Sequence, residues 1–100
     1  MSERQIKIAR VHTLEGHDHF NQVLSVLQTQ NIAGVTVLRG IAGVGESGQL
    51  HTSSLLSLSL ELPIIIEFYD VPERVEEAIK VLQSQLDLQH IVSWSATAHV

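Results

Sequence analysis

Closely spaced glycines are the clearest chemical feature of the middle of the chain, and they are Gly40, Gly43, Gly45 and Gly48. Glycine can take positive φ angles and lets backbone N–H groups approach an anion closely. Arg39, the one cation nearby, directly precedes them. The stretch therefore indicates either an anion-binding segment or a bulged strand end followed by a mobile loop. For Arg39, an ion pair with an acid such as Glu67 is the alternative to a ligand contact.

Histidines are the second feature, with six in 100 residues. His17 and His19, together with His51, could supply imidazole nitrogens to a copper or zinc ion. His17 and His19 do not have the i, i+4 spacing that places two ligands on one helical face, so surface histidines are the simpler interpretation. Symmetry in an oligomer could also bring together copies of one histidine, for which His99 is a candidate.

Several classes of chemistry are excluded or disfavoured. The chain has no cysteine, which rules out disulfides and thiolate sites. It shows no nucleophile motif, phosphate loop or metal-hydrolase spacing, so we expect a protein that is not an enzyme. The net charge is −5 and the six basic residues are scattered, which argues against nucleic-acid binding.

The sequence also bears on location. The N-terminus is polar and does not resemble a signal peptide. No run of about 18 apolar residues is present, so we expect a cytoplasmic chain that does not span a membrane.

The elements that would position these residues follow from apolar periodicity. Phe20, Val23, Leu24 and Leu27 form one face of a helix that runs from His19 to about Asn31. A second helix begins at Pro72, with Asp70 as a cap and Glu73 three residues further on. Alternating or apolar runs predict four strands, which are residues 5–12, 35–41, 64–69 and 91–100.

This order is βαββαβ, the ferredoxin-like arrangement, in one α+β domain over residues 1–100. It predicts a four-stranded antiparallel sheet with both helices on one face. A long loop, about residues 44–62, separates the second and third strands; loops of more than about 12 residues usually carry function or disorder. Its leucine run, residues 55–60, either docks on its own subunit or meets a partner. Because only 17% of residues are charged, we expect a homo-oligomer to cover the open sheet face.

The segment T-V-L-R-G-I-A-G-V-G, followed by L-H-T-S-S-L-L-S-L-S-L-E-L-P-I-I-I-E, resembles the PII-like signalling proteins. It is closest to the branch called domain of unknown function one-hundred-and-ninety. The resemblance implies a trimer in which residues 44–62 match the T-loop that engages targets. It implies an adenine nucleotide in the cleft between subunits, at the base of that loop. The candidate ligand-binding residues in this segment are Arg39, Gly40, Gly43, Val44, Gly45, Ser47, His51 and Thr52.

The chain departs from the PII pattern in two places. PII proteins follow Gly-Phe-Gly with Arg and Gln, whereas Gly43-Val44-Gly45 is followed by Glu46 and Ser47. The connection after the second helix, residues 86–90, contains no glycine, although the PII loop there is glycine-rich and binds phosphate. We therefore do not expect ATP binding of the usual PII type.

Two functional hypotheses follow. The first is a cytoplasmic regulatory protein that senses a small anionic ligand, such as an adenine nucleotide, and acts through its loop on a protein partner. Members of this branch are often encoded beside, or fused to, fluoride-channel-type membrane proteins, which suggests a channel or transporter as the partner. The alternative is a trimer that binds a divalent metal through His17, His19 and His51, similar to the copper- and zinc-associated relatives of PII.

Overall fold

The structure, a computed structural model, describes residues 2–14, 19–44, 50–52, 62–86, 88 and 90–100. Over these residues, six strands and two helices follow one another along the chain. They are β1 (Glu3–Leu14), α1 (His19–Thr29), β2 (Gly34–Arg39), β3 (Ala42–Val44), β4 (Leu50–Thr52), β5 (Pro63–Asp70), α2 (Pro72–Leu86) and β6 (Ile91–His99).

The main sheet has the strand order β2-β5-β1-β6, and all three strand pairs are antiparallel. The long strands β1, β5 and β6 are those that the apolar runs predicted. The βαββαβ arrangement with a four-stranded antiparallel sheet is therefore confirmed. A separate two-stranded sheet, formed by β3 and β4, interrupts the connection between β2 and β5.

The core lies between one face of the sheet and the two helices. In β5, Ile64, Ile66 and Phe68 alternate onto this face and are buried, whereas Ile65 points to the opposite face and is half-buried. This alternation explains why three consecutive isoleucines fit one strand. The remaining core residues come from β1 and from the apolar stripes of both helices, namely Ala9, Val11, Val23, Leu27, Val75, Ala78 and Leu82.

The helix ends follow the signals in the sequence closely. α1 ends at Thr29, and Asn31 takes the left-handed φ of 56° that asparagine tolerates after a helix. α2 begins at Pro72, as expected. The cap differs in detail from a capping box, because the Asp70 carboxylate accepts hydrogen bonds from the amides of Val71 and Ala33. Neither helix is long and apolar enough, over the part of the chain described, to cross a bilayer.

Two expectations about the β2–β5 connection need correction. The strand predicted over residues 35–41 ends at Arg39, and the chain bends at Ile41, which is 78% exposed. The segment predicted as a loop, residues 44–62, begins inside a β-hairpin instead, since β3 ends at Val44 and β4 covers Leu50–Thr52. The leucine run at residues 55–60 lies outside the described residues.

The face of the sheet opposite the helices, here called the open face, has no covering layer among the described residues. The register and the alternation of β6 place Val92, Trp94 and Ala96 on it, and the polar Ser93 and Ser95 on the other side. Val92 and Trp94 are 50% and 40% exposed. His99 falls on the same side as the serines, away from the open face.

Candidate functional site

The junction between the main sheet and the β3–β4 hairpin contains the predicted ligand-binding residues that the structure describes. Arg39 is the last residue of β2 and lies opposite Ile64 of β5 in register. The amide of Gly40 then donates a hydrogen bond of 2.7 Å to the carbonyl oxygen of Pro63. This bond extends the β2–β5 ladder by one step and fixes the point at which the chain leaves the sheet.

Two chain segments approach each other closely at this junction, which leaves no room for a side chain at Gly43 and little at Gly40. A Cβ atom built on Gly43 would lie 2.6 Å from Cγ of Pro63, and one built on Gly40 would lie 3.2 Å from Cβ of Pro63. Neither glycine takes a positive φ, so the close approach to Pro63, and not an unusual backbone angle, favours glycine at these positions. The Gly40 amide is also bonded within the chain, so it is not a donor for an anion.

The hairpin brings together four of the predicted residues. Gly43 of β3 is paired with His51 of β4, and Val44 is paired with Leu50. Thr52 is paired with Ala42 at the base of the hairpin. Val44 is 64% exposed, so one side of β3 meets solvent. Gly45 and Ser47, the other two predicted residues, lie outside the described part of the chain.

The ion pair suggested between Arg39 and Glu67 is replaced by a different pairing. Arg10 of β1 donates from Nε to Oε1 of Glu67 at 2.8 Å. Glu67 lies opposite Thr36 in β2, three register positions from Arg39. The carboxylate of Glu67 therefore belongs to the middle of the sheet, where its partner is Arg10.

Of the predicted histidine set, only the side chain of His19 lies within the described residues. His19 is the first residue of α1 and is exposed. His51 is placed in β4 by its backbone, and His17 lies outside the described residues. Among the residues that the structure describes, no three His, Cys, Asp or Glu side chains are arranged to hold a metal ion.

A cleft of ≈ 400 Å³ lies between α1 and the start of β2. It has no ionisable side chain in its lining, which consists of Leu24, Leu27, Gln28, Asn31, Ile32 and Val35. The hairpin leaves the opposite end of β2. Because no ionisable side chain lines it, the cleft does not suit an anionic ligand. It is also separate from the junction between the main sheet and the hairpin, which lies at the other end of β2.

Sequence reasoning missed a polar group on the open face. Arg10 pairs with Glu67, and the Cζ atom of Arg10 lies 5.7 Å from the centre of the Trp94 ring. The sequence does contain a sign of this pair, because a charged residue interrupts an apolar strand in both places. Arg10 interrupts Ile-Ala-Arg-Val, and Glu67 interrupts Ile-Ile-Glu-Phe. Pairing them required the β1–β5 register, which no single strand sequence contains.

Sequence comparison finds related proteins over most of the chain. A family model described as DUF190, Uncharacterized ACR, COG1993, matches residues 5–98. UPF0166 protein MJ1524 of Methanocaldococcus jannaschii is 32% identical over 68 residues, which cover 68% of this chain and 62% of that protein. The match thus spans less than two thirds of the relative's own length.

Comparison with solved structures shows the fold. CPII of Thiomonas intermedia K12, solved with ADP and bicarbonate, superposes with a TM-score of 0.68 at 18% identity, over 99% of this chain and 91% of that chain. The divalent ion tolerance protein CutA1 of Ehrlichia chaffeensis gives 0.59 at 17% identity, over 91% and 80% of the two chains. The chain therefore has a PII-like, ferredoxin-type fold.

Proposed function

Because this chain belongs to the DUF190 family, and because its fold is PII-like, we propose that it is a cytoplasmic regulatory protein of the PII-like type. It assembles as a homotrimer and binds a small anionic ligand between subunits, at the base of the β3–β4 hairpin. The hairpin and the segment beyond it contact a protein partner, with a membrane channel or transporter as the first candidate. The protein acts by binding and not by catalysis.

One observation carries this proposal: the β3–β4 hairpin leaves the main sheet at the residues that match the PII motif. The Gly40–Pro63 hydrogen bond holds the base of the hairpin to β5. Beyond the base, β3 and β4 pair with each other at three positions and form a sheet separate from the main one. A ligand that binds one arrangement of this hairpin better than another shifts the population between them. The junction is therefore suited to couple ligand binding to a change in a protein-binding segment.

An adenine nucleotide is the first ligand to test, since CPII was solved with ADP and bicarbonate. The residues at the junction fit an anion through the guanidinium of Arg39, because guanidinium groups match phosphate geometry well. The Gly40 amide is already bonded to Pro63. We therefore assign the charge contact to Arg39 and not to the Gly40 amide.

The test is a calorimetric titration of ADP, AMP and ATP into the purified protein, each with and without bicarbonate. We expect ADP or AMP to bind. We expect Arg39→Ala to weaken binding by about tenfold or more, since a charged hydrogen bond contributes about 1.5–3 kcal/mol. Lys80→Ala, which removes an exposed cation on α2, is the matched control and should bind as the original chain does. Absence of binding for all three nucleotides would contradict the proposal.

The metal hypothesis is tested with the same protein. Its support is the likeness to a divalent ion tolerance protein and the number of histidines. Titration with Cu²⁺ and Zn²⁺ would show tight binding that is lost in both His17→Ala and His51→Ala, and retained in the control His90→Ala. That outcome, with no nucleotide binding, would replace the anionic ligand with a metal ion.

A further inference from the structure

Two histidines face each other across the ladder between β1 and β6. The register of these strands pairs Val11 with Ile91, so the next step places His12 of β1 opposite His90. The amide of His12 donates a hydrogen bond of 3.0 Å to the carbonyl oxygen of His90, so the ladder continues through this pair. Residues directly opposite each other in an antiparallel pair have Cβ atoms about 4.5–5.5 Å apart. The two imidazoles therefore start from neighbouring positions, although they are distant in the sequence.

Both imidazoles belong to one end of the open face. Successive side chains of a strand point to opposite faces, and Arg10 and Val92, each two residues from one of the histidines, lie on the open face. His12 and His90 are exposed. Arg10, the neighbouring cation on this face, lies 2.8 Å from a carboxylate oxygen of Glu67, which compensates its charge. A metal ion at the two imidazoles is therefore not opposed by an uncompensated charge on Arg10.

The core fixes the backbone beside both histidines. Val11 is fully buried, and Leu88 and Ile91, which precede and follow His90, are partly buried residues packed against the core. The relative position of the two backbones is thus set by packing and by the β1–β6 ladder, before any ion binds. Only the two side chains have to lose freedom on binding, which keeps the entropic cost of forming a site small.

Two opposed imidazoles suit a divalent transition metal. Imidazole nitrogen is a ligand for copper, nickel and zinc, and copper binds such ligands more tightly than zinc does. Structural zinc sites have four protein ligands, whereas Cu²⁺ accepts a tetragonal set of nitrogen and oxygen ligands, part of which water can supply. Within the described ranges, no group of three His, Cys, Asp or Glu residues is arranged to hold a metal ion. A donor set of two imidazoles therefore favours Cu²⁺.

We propose that His12 and His90 form a bidentate site for Cu²⁺, separate from the predicted set of His17, His19 and His51. Both ligands belong to one chain, so the site requires neither a second copy nor a nucleotide. The bound ion joins the end of β1 to the residue that precedes β6, and it reinforces the backbone hydrogen bond between the same two residues. The Cu²⁺ site and the proposed regulatory function can consequently succeed or fail independently.

The test is a calorimetric titration of Cu²⁺ into the full chain without an affinity tag, with electron paramagnetic resonance of the complex. We expect one Cu²⁺ per chain, nitrogen coupling from two imidazoles, and weaker binding of Zn²⁺. His12→Ala and His90→Ala should each weaken Cu²⁺ binding at least tenfold, because either substitution leaves a single imidazole. The double variant should lose much less than the sum of the two effects, since one substitution already breaks the chelate.

His99→Ala is the matched control. His99 is also an exposed histidine of β6, but it lies at the other end of the strand and on the other face of the sheet. This variant should bind Cu²⁺ as the original chain does. His90→Ala in addition separates the two histidine sets, because it removes a ligand from this site and none from the set of His17, His19 and His51. Circular dichroism establishes that each variant is folded.

Three outcomes would overturn the inference. Weaker Cu²⁺ binding in only one of the two single variants would do so, because a cross-strand chelate needs both imidazoles. Unchanged binding in both would also do so, and a loss in His17→Ala would then assign the ion to the other histidine set. Absence of Cu²⁺ binding would exclude the site, while the nucleotide titration would still judge the proposed function separately.

Discussion

At the scale of single residues, the contact between Gly43 and Pro63 determines how the hairpin joins the sheet. The proline ring is attached to its own backbone at two points, so its Cγ atom cannot rotate away as the end of a long side chain can. The 2.6 Å separation from an added Cβ at Gly43 is therefore a true steric limit. Gly34 differs, because the atoms that an added Cβ would meet belong to the ring of the 43% exposed Tyr69.

We expect Gly43→Ala to destabilise the protein by about 1–3 kcal/mol, the usual cost of adding a methyl group to a packed position. Urea unfolding followed by circular dichroism measures this difference. Pro63→Ala removes the Cγ atom, so the double variant should recover part of the loss, and the coupling energy should be about 0.5 kcal/mol or more. If Gly43→Ala lowers the free energy of unfolding equally with and without Pro63, the contact with Pro63 is not the reason that glycine is needed at position 43.

At this scale, the sequence shows where the glycines are but not why glycine is needed at each position. In the sequence, Gly40 and Gly43 indicate backbone freedom and access for an anion, whereas in the structure both let the chain pass Pro63 closely. A glycine required for φ and one required for space look identical in one sequence. The distinction depends on which segment lies opposite, and Pro63 is 20 residues further along the chain than Gly43.

At the scale of elements, Asp70 joins three segments at one end of the sheet. Its carboxylate accepts hydrogen bonds of 2.6 Å from the amide of Val71 and 3.0 Å from that of Ala33. Arg74 lies 3.5 Å from the same carboxylate and donates a 3.2 Å bond to the carbonyl of Gln30. The start of α2 is thereby tied to the end of α1 and to the residue that precedes β2.

Asp70→Ala should lower the free energy of unfolding by about 0.5–2 kcal/mol, the range measured for loss of a helix cap. The effect should reach the upper part of that range, because the carboxylate also holds the Ala33 amide, which belongs to a different segment. Thermal unfolding at fixed pH measures it. Glu77→Ala, which changes an exposed carboxylate on the same helix, should stay within about 0.5 kcal/mol of the original chain. A loss for Asp70→Ala no greater than that of Glu77→Ala would exclude this linking function.

The elements of the main sheet could be predicted well, whereas the hairpin could not. β5 and β6 span eight and nine residues, long enough for alternation to appear in the sequence. β3 and β4 have three residues each, and so short a run has no readable period. Their pairing depends on the position at which Gly40 and Pro63 bring the two ends of the connection together.

At the scale of the whole molecule, the sequence predicts part of what covers the two faces of the sheet. The three consecutive isoleucines of β5 place apolar side chains on both faces of the sheet, because neighbouring residues of a strand point to opposite faces. The low charge predicted a partner on the open face. The polar row of Arg10, Glu67 and Trp94 required the registers of three strands, so it could be seen only in the folded chain.

The final prediction concerns how stability is distributed through the molecule. β1 and β5 each have a neighbour on both sides, and their inward residues Val11, Ile66 and Phe68 are fully buried. The hairpin has three paired positions and an exposed Val44. Amides in such weakly supported segments exchange through local opening at low free energy. The hairpin amides should therefore exchange with deuterium about 100-fold faster than those in the centre of β1, which corresponds to about 2.7 kcal/mol.

If the ligand holds the hairpin against the sheet, added ADP should slow deuterium exchange of the amides in β3 and β4. The centre of α2, which is remote from the junction, serves as the internal reference. In Arg39→Ala, the same ADP concentration should give less protection of the hairpin, because the guanidinium no longer contacts the anion. Protection confined to α1 and β2 beside the apolar cleft would assign the ligand to that cleft and separate it from the hairpin. The pattern along the chain thus tests where the ligand binds and whether binding reaches the segment that we propose to contact the partner.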